Sequence, residues 1–351
     1  MREVITEGIR GIVFKKLITE VELEAPPDFK IKKSIIEYRQ DPFTDLWVRI
    51  SVERAMRPRQ VPLTPPEVES WKRKDYDEKC PFCTVERSTP KYPPHILEEG
   101  RLIEKSQYLF PNLYPFAKYH AVVTLTPKHF KEYQELTTEE WYHALHLSIE
   151  YFRKISTRDR EVRYFTINLN YLAPAGASIL HPHLQLVADV KLGNYTALLL
   201  QKYREYRSKW GTDLIQDLVE SEEKLGERFL WRGKLVTWIV AYAPWIPGEI
   251  IGTAQVSDIR ELSDSEVRYL AEDIKNLLNP YRQAVKTDSI NVSMYSLPGT
   301  DLPLLIRIGA RKPLQPYYTN DRGFMEVLHQ EPITDILPEN LTKTLRELRK
   351  Q

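Results

Sequence analysis

The sequence predicts an α+β protein whose mostly antiparallel sheets are flanked by helices and whose two halves are related. At 351 residues, the chain is long for a single hydrophobic core, so two domains or two fused half-domains are expected. A strand–strand–helix–strand–strand pattern occurs twice, which is typical of a duplicated unit. The match is clearest just before each helix, where residues 130–137 (FKEYQELT) resemble residues 258–263 (DIRELS).

The first copy of the pattern consists of short strands around one amphipathic helix. Thr137 and Glu140 form a capping box, in which each side chain bonds an otherwise unpaired backbone amide of the first turn. Apolar residues at helical spacing continue this helix from Trp141. A strand is predicted at 46–52, where apolar and polar residues alternate, and further strands are predicted at 108–110, 121–125, 164–169 and 181–190.

The second copy follows two connecting helices, and the start of the chain has no clear pattern. The connecting helices are predicted at 195–210 and 214–229, and the helix of the second copy from Ser263 to about Leu278. Residues 1–33 are mixed and receive no element. The remaining predictions are a proline-rich loop at 61–66 and strands at 236–243, 249–254, 290–295 and 304–308.

The composition is that of an ordinary globular protein, and it excludes several functional classes. Lys and Arg (50) nearly equal Asp and Glu (49), so no net charge draws the chain to nucleic acid. No apolar run is long enough to span a bilayer, so no membrane partner is expected. The first residues lack a signal peptide's apolar core, and two cysteines cannot build a disulfide scaffold. We therefore expect a cytoplasmic protein.

The most informative stretch is a row of polar side chains at alternate positions, His181, His183 and Gln185. In a strand these three share one face, and three such groups in a row are hard to bury for packing alone. The preceding loop, 173–178, has small residues whose backbone amides can approach a phosphate, and Ser178 adds a hydroxyl. The pattern favours a phosphate-handling site over a surface strand with incidental histidines.

The stretch from Asn170 to Gln185 resembles the active-site motif of the galactose-1-phosphate uridylyltransferases, which belong to the histidine-triad (HIT) superfamily. The family motif runs Asn, a glycine-rich loop with a Ser, and then His-Pro-His-Gly-Gln, where this chain has Leu184 in place of the Gly. The resemblance covers most of the chain and is strongest up to about residue 190. Further segments in the family's order are 38–48 (YRQDPFTDLWV), 54–58 (RAMRP), 80–83 (CPFC) and 111–112 (PN).

The resemblance implies an architecture of two fused HIT-like half-domains. Residues 1–210 would form the half with a zinc site and the catalytic His-x-His-x-Gln motif. Residues 211–351 would form a degenerate second half that acts as a scaffold. The resemblance also implies a homodimer.

The resemblance implies that His183 attacks the α-phosphorus of a nucleotide sugar, so that sugar 1-phosphate leaves and a nucleotidyl-histidine remains. A second phosphate acceptor would then collect the nucleotide in a ping-pong reaction. Gln185 can hold phosphate oxygens through its N–H groups, but it has no proton to give to a poor leaving group, which favours transfer over hydrolysis. By the same resemblance, Ser178 joins His183 and Gln185 as a catalytic residue. The residues implied to contact substrate are Arg54, Arg57, Asn112, Asn170, Gly176, Ala177, Ser178, Gln185 and Glu326.

Both cysteines lie in the motif Cys80-x-x-Cys83, whose spacing forms half of a tetrahedral zinc site. A redox role would need a thioredoxin-like βαβ context, which the pattern lacks. By resemblance, His129 and His181 complete the ligand set. Four protein ligands make a closed and therefore structural site, which would hold the strand that bears His183.

The other histidines have weaker claims to a metal. His95 and His120 are the nearby alternatives to His129, whereas His143 and His146 share one helix and are interpreted as a surface pair. The family often has a second metal site in its C-terminal half, but the strand 304–308 (LLIRI) carries no histidine. We therefore expect one metal site per chain.

Two departures from the family leave the substrate open. Residues 323–326 (GFME) loosely resemble the family's sugar-binding segment, which a partner subunit contributes, and Leu113 replaces a common acidic residue. The leading function is UDP-glucose:hexose-1-phosphate (galactose-1-phosphate) uridylyltransferase. The first alternative is an ADP- or UDP-sugar or dinucleoside polyphosphate phosphorylase that uses inorganic phosphate. The second is a non-catalytic protein that binds nucleotide sugars.

Overall fold

A computed structural model of the chain describes residues 1–25, 28–56, 75–312 and 322–350. The loop predicted at 61–66 and the predicted substrate contact Arg57 lie outside these ranges. No helix in the described part of the chain is long and apolar enough to cross a membrane.

The centre of the molecule is a ten-stranded, antiparallel sheet that runs through both halves of the chain. Its strand order is β10-β11-β12-β14-β13-β8-β9-β7-β6-β5. The first half supplies β5 (Leu102–Glu104), β6 (Gln107–Pro111), β7 (Tyr119–Thr124), β8 (Tyr164–Tyr171) and β9 (His183–Asp189). The second half supplies β10 (Phe229–Arg232), β11 (Thr237–Val240), β12 (Ile250–Ala254), β13 (Ile290–Ser296) and β14 (Leu304–Ala310).

The predicted duplication is confirmed in the order of these strands. The first half reads β5-β6-β7-β9-β8 and the second reads β10-β11-β12-β14-β13, and β8 pairs with β13 where the halves meet. The molecule is therefore an α+β protein of two fused half-domains, as the sequence predicts. The predicted boundary between residues 210 and 211 lies at the end of a helix, where Gly211 has a φ of 72°. The two residue ranges themselves stay a prediction, since one sheet joins both halves.

One face of the sheet is covered by the helices α2 (Thr138–Arg158) and α5 (Asp264–Val285), one from each repeat. Each begins with a capping box, formed in α2 by Thr137 with Glu140 and in α5 by Ser263 with the glutamate three residues later. Their apolar stripes are fully buried between helix and sheet, and Trp141 has no exposed surface. The predicted end of α5 near Leu278 is wrong, because the helix continues through Pro280 to Val285.

The extension of α5 past Pro280 has a packing reason. A proline inside a helix removes one backbone hydrogen bond and costs about 3 kcal/mol. Leu277, Leu278 and Tyr281 around it are fully buried, and the Tyr281 hydroxyl donates to the carbonyl of Gly248 at 2.9 Å. Burial of three large side chains at about 2 kcal/mol each offsets that cost.

The opposite face of the sheet is covered in the second half by the remaining helices and by a second sheet. Helices α3 (Asn194–Trp210) and α4 (Leu214–Leu225) pack there. The predicted extension of α4 to residue 229 is wrong, because Gly226 ends the helix with a φ of 70° and Phe229 begins β10. The second sheet has the order β1-β2-β3-β4-β15, with β1 (Arg2–Glu7), β2 (Val13–Ala25), β3 (Lys30–Gln40), β4 (Trp47–Ile50) and β15 (Ile333–Thr334). The unassigned N-terminal residues therefore form β1, β2 and the start of β3.

Three further helices complete the described chain, namely α1 (Val85–Ser88), α6 (Phe324–Val327) and α7 (Pro338–Arg349). A buried ion network fixes α7, in which Glu339 accepts from Arg39 at 2.8 and 3.0 Å and from Arg228 at 2.7 Å. Against the effect of burial, these two guanidinium groups lower the pKa of Glu339 to about 2. Glu222 also accepts from Arg228, at 2.8 Å, but burial raises the pKa of Glu222 to about 7.

Candidate active site

Four predicted metal ligands meet at one point beside the edge of the first half-sheet. The donor atoms of Cys80, Cys83, His129 and His181 all lie within 4.8 Å of one another. The Cys83 sulfur is 3.5 Å from Nδ1 of each histidine. Two thiols and two imidazoles in a compact, mostly buried group are the donor set of a closed tetrahedral site. The residues present therefore fit a structural metal ion.

The surroundings of the cluster orient its donor atoms toward the common centre. His181 donates from Nε2 to the carbonyl of Thr126 at 2.8 Å, which leaves Nδ1 as the ligand atom. An outer contact of this kind fixes the tautomer of a metal-binding histidine. Burial raises the pKa of the Cys80 thiol to about 11, although the backbone amides of Phe82 and Cys83 point at its sulfur. A bound cation would supply the remaining stabilisation that the thiolate needs.

The cluster joins three separate segments at the place where the strand of the reactive histidine begins. The two cysteines form a turn just before α1, His129 follows β7, and His181 precedes β9. β7 and β9 are neighbours, with Thr124 opposite His183 in the register. A metal ion would therefore fix the first residue of β9 against its neighbouring strand.

His183 is the first residue of β9, and a hydrogen bond to the backbone holds its ring in one orientation. Its Nδ1–H donates to the backbone carbonyl of His181 at 2.8 Å, so Nε2 carries the free lone pair. The ring of Phe82 lies edge-on against it, with 4.9 Å between ring centroids. Only 5% of His183 is exposed, and burial lowers its pKa, so the imidazole is neutral near pH 7.

Gln185 lies two residues after His183 on the same face of β9. Its side-chain amide is hydrogen-bonded to His120, a residue for which no catalytic role is predicted from the sequence. His120 Nε2 donates to Gln185 Oε1 at 3.0 Å and also lies 3.2 Å from the Asn112 amide nitrogen. The ring of Phe116 covers the imidazole, with 4.1 Å between centroids. Burial lowers the pKa of His120. Asn112 and Gln185 thus meet at one imidazole.

The position of His120 in the sequence could have indicated its place in the site, because it lies one residue before the predicted strand 121–125. Extending that strand by one position puts His120 on the face of Thr124, which pairs with His183. His120 is therefore not a metal ligand, in agreement with the preference for His129. His143 and His146 are also apart from the cluster, since their Nδ1 atoms bind the Glu104 carboxylate at 2.7 and 2.6 Å.

The small-residue loop lies beside the end of β8, next to Asn170. The amides of Ala175, Gly176 and Ala177 donate to carbonyls inside this turn at 2.9 to 3.2 Å. These three amides therefore form hydrogen bonds within the loop. The small side chains of the loop would still allow a phosphate to approach the backbone closely. Gly176 has a φ of 93°, and a side chain there would lie 3.5 Å from the Asn170 amide nitrogen. Ser178 follows in an exposed position.

Arg54 and Glu326 lie apart from this group and line a different cavity. Its volume is about 260 Å³, and its walls include Arg54, Glu326 and the cations Arg311, Lys312 and Arg322. The carboxylate of Glu326 accepts from the amides of residues 323 and 333 at 2.8 and 3.2 Å. The structure thus brings these two predicted substrate contacts together but does not place them with His183.

The second repeat carries different residues at the equivalent positions. Gln185 pairs with β7 and with Asn168 of β8, whereas Arg307 of β14 pairs with β12 and with Ser293 of β13. Strand β14 is thus the counterpart of β9, and its residues 304–310 (LLIRIGA) include no histidine. Arg307 is ion-paired with Glu249 and packs over the Tyr195 ring at 4.1 Å from its centroid.

The chain is similar to known proteins over most of its length. A family model described as a domain of unknown function (DUF4921) matches residues 116–215. An uncharacterized protein of Archaeoglobus fulgidus is 30% identical over 325 residues, which cover 91% of this chain and 94% of that protein. A galactose-1-phosphate uridylyltransferase of Haemophilus influenzae is 28% identical over 266 residues, or 71% of this chain and 74% of that protein. An ADP-glucose phosphorylase of Arabidopsis thaliana, solved with ADP-glucose, has the same fold, with a TM-score of 0.69 at 20% identity, and covers 89% of this chain and 98% of that one.

A duplicated α+β fold that carries a His-x-His-x-Gln motif defines the class of this protein, an enzyme of the nucleotidyltransferase type. The chain belongs to the same family as the Archaeoglobus fulgidus protein, and proteins named galactose-1-phosphate uridylyltransferase are similar to it at 22–28% identity.

Proposed function

We propose that the protein transfers a nucleotidyl group from a nucleotide sugar to a second phosphate, through a covalent intermediate on His183. The observation that carries this proposal is the fixed orientation of the imidazole. Nδ1–H is held by the His181 carbonyl at 2.8 Å, and Nε2 remains as the only nitrogen with a lone pair. A neutral imidazole held in this way is ready to attack phosphorus without a general base.

The reaction balances without any proton from the protein. Nε2 of His183 attacks the α-phosphorus, a P–N bond forms, and the P–O bond to the β-phosphate breaks as sugar 1-phosphate leaves. The resulting imidazolium keeps its Nδ1–H, and the His181 carbonyl stabilises the positive charge. An oxygen of the acceptor phosphate then attacks, the P–N bond breaks, and the neutral imidazole returns. Gln185 suits this exchange, because both leaving groups depart without protonation and an amide can only hold phosphate oxygens.

The donor and acceptor that we propose first are UDP-glucose and a hexose 1-phosphate such as galactose 1-phosphate. The relative from Haemophilus influenzae carries that activity in its name. The residues proposed to hold the phosphates and the nucleotide are Asn112, Asn170, Ser178 and Gln185, with Gly176 and Ala177 for close approach and with Arg54, Arg57 and Glu326 for the sugar phosphate.

Glu326 favours a second candidate, a nucleotide-sugar phosphorylase that uses inorganic phosphate. Each of its carboxylate oxygens already accepts from one backbone amide, so fewer lone pairs remain for sugar hydroxyls. The cavity beside it has Arg54, Lys312 and two further arginines in its walls, which suits an anion. Product analysis with galactose 1-phosphate or with inorganic phosphate as acceptor separates the two candidates.

We also propose that the metal is zinc, that the protein acts as a homodimer, and that it resides in the cytoplasm. Two thiolates and two imidazoles select zinc over the harder divalent ions. In a homodimer, the cavity of Arg54 and Glu326 in one protomer would serve the site of its partner. Cys80 and Cys83 form no disulfide, and thiols that bind a metal fit a reducing compartment. Metal analysis of the purified protein and its mass in solution test the first two points.

A covalent-adduct experiment tests the proposed function. The protein is incubated briefly with UDP-glucose or ADP-glucose, and its intact mass is measured without acid. A UMP-sized increase supports uridylyl transfer, and an AMP-sized increase supports the phosphorylase. No increase with either donor, or with a wider nucleotide panel, would support the non-catalytic alternative instead.

A further inference from the structure

Side chains of the second half-domain are hydrogen-bonded in series to a residue of the candidate site in the first half-domain. Asn291 on β13 lies directly opposite Asn170 on β8, across the line where the repeats join. Its amide nitrogen donates to Asn170 Oδ1 at 2.8 Å and to the carbonyl of Ala175 at 2.9 Å. Its Oδ1 accepts from Arg311 at 2.8 Å. All three contacts cross or adjoin the boundary between the halves.

The donor and acceptor chemistry of these groups allows only one orientation for each of the two asparagine amides. A guanidinium only donates, so the atom of Asn291 that faces Arg311 must be its oxygen. The Asn291 nitrogen then faces the Ala175 carbonyl, which only accepts, and the Asn170 side chain. The atom that Asn170 presents to Asn291 must therefore be its oxygen. Its own NH2 group is left to point to the other side, toward Gly176 and the loop.

We infer that Asn291 is a positioning residue for nucleotidyl transfer, because it fixes the Asn170 amide with its N–H donors toward the bound phosphate. The inference rests on the proposed function. Without Asn291, the Asn170 amide can rotate by half a turn and present an oxygen to the anionic substrate. The second half-domain is then more than a scaffold, since its Arg311 and Asn291 set the polarity of a substrate contact in the first half.

The contact with Ala175 strengthens the same arrangement. Asn291 binds at once the side chain that would contact phosphate and the loop that approaches it, at 2.8 and 2.9 Å. The relative position of Asn170 and Gly176 therefore depends on a residue 116 positions further along the chain than Ala175. A displacement of about 1 Å in such groups can lower a reaction rate by two orders of magnitude.

The experiment measures the single-turnover rate of nucleotidyl-enzyme formation, using whichever of UDP-glucose and ADP-glucose modifies the wild type. Asn291→Asp keeps the shape and the acceptor for Arg311 but removes both donors. Asn291→Ala removes the donors without adding charge. The matched control is Ser289→Ala, because Ser289 donates to the Tyr171 carbonyl at 2.8 Å across the same strand pair without touching Asn170.

We expect both Asn291 variants to slow adduct formation on the order of 10- to 100-fold. Their thermal midpoints should match that of Ser289→Ala, which should keep a rate within about twofold of the wild type, the usual effect of a lost contact that the chemistry does not use. In an Asn170→Ala background, Asn291→Ala should slow the reaction by less than about threefold, because residues that act as a unit are non-additive.

Three results would overturn the inference. The first is an Asn291→Ala variant with the wild-type rate. The second is a loss of rate that is just as large in the Asn170→Ala background, which would show that Asn291 does not act through Asn170. The third is a wild type that forms no adduct with any nucleotide, which would refute the proposed function and this inference together, whereas the first two leave the proposed function intact.

Discussion

Loss of the metal cluster should lower the stability of the folded chain by an amount that the structure allows us to work out. The variant is Cys80→Ser, which removes one buried ligand. A bound metal would link Cys83 to His129, which are 46 residues apart. A cross-link that closes a loop of this length stabilises a protein by about 4 kcal/mol through the reduced entropy of the unfolded chain. The free energy of the metal–ligand bonds adds to this value, and binding of the metal to the unfolded chain subtracts from it.

The assay is thermal unfolding followed by metal analysis of the same samples. At about 1.4 °C per kcal/mol for a chain of 351 residues, Tm should fall by about 5 to 6 °C. A strong chelator should lower the Tm of the wild type to that of the variant. The control is Ser88→Ala, in the same segment, because the Ser88 side chain is exposed and its hydroxyl bonds the neighbouring Thr84 hydroxyl at 2.7 Å. A Cys80→Ser protein with unchanged Tm, or a wild type without bound metal, would refute the reasoning.

Three further predictions concern the remaining parts of the molecule. His120→Ala should lower kcat by about tenfold, since Gln185 loses the donor at 3.0 Å that fixes its amide; steady-state kinetics with an unchanged kcat would contradict this. Burial raises the pKa of Glu222 to about 7, so the stabilisation that the protonated carboxyl gives is fully present below pH 4.5. As pH rises to 7, the free energy of unfolding should fall by about 3 kcal/mol from this group. Glu222→Gln should remove this fall from a profile of denaturant stability against pH. The pKa of Glu339 is about 2, so the stabilisation from its ionised carboxylate is present above pH 4.5 and is lost as pH falls toward 2. Glu339→Gln should lower the free energy of unfolding at pH 7 by about 3 kcal/mol, measured by denaturant unfolding.

Much of the fold could be predicted because local signals and the repeat agree. The capping boxes at Thr137 and Ser263 mark the starts of the two long helices, and both are formed. The sequence predicts eight of the ten strands of the central sheet and misses β5 and β10. The errors have local causes: Gly226 ends α4 early, and burial of Tyr281 carries α5 past Pro280. In the N-terminal sheet the sequence predicts only β4, because most residues of the longer strands are exposed or half-buried and lack a clear pattern.

The candidate site was predictable where it depends on neighbours in sequence and unpredictable where it depends on the sheet. His183 and Gln185 follow from a spacing of two within one strand, and the cysteines follow from their own motif. The contact of His120 with Gln185 depends on the pairing of β7 with β9, which no local pattern specifies. The contact of Asn291 with Asn170 depends on how the two repeats meet.

The central claim is that His183 carries the nucleotide, and one measurement tests it most directly. Wild-type protein and the His183→Ala variant are incubated with UDP-glucose and with ADP-glucose, and their intact masses are recorded before any exposure to acid. The account predicts a gain of one nucleoside monophosphate in the wild type, reversed by added sugar 1-phosphate or inorganic phosphate, and no gain in the variant. A variant that still gains the mass or still transfers nucleotide would contradict it.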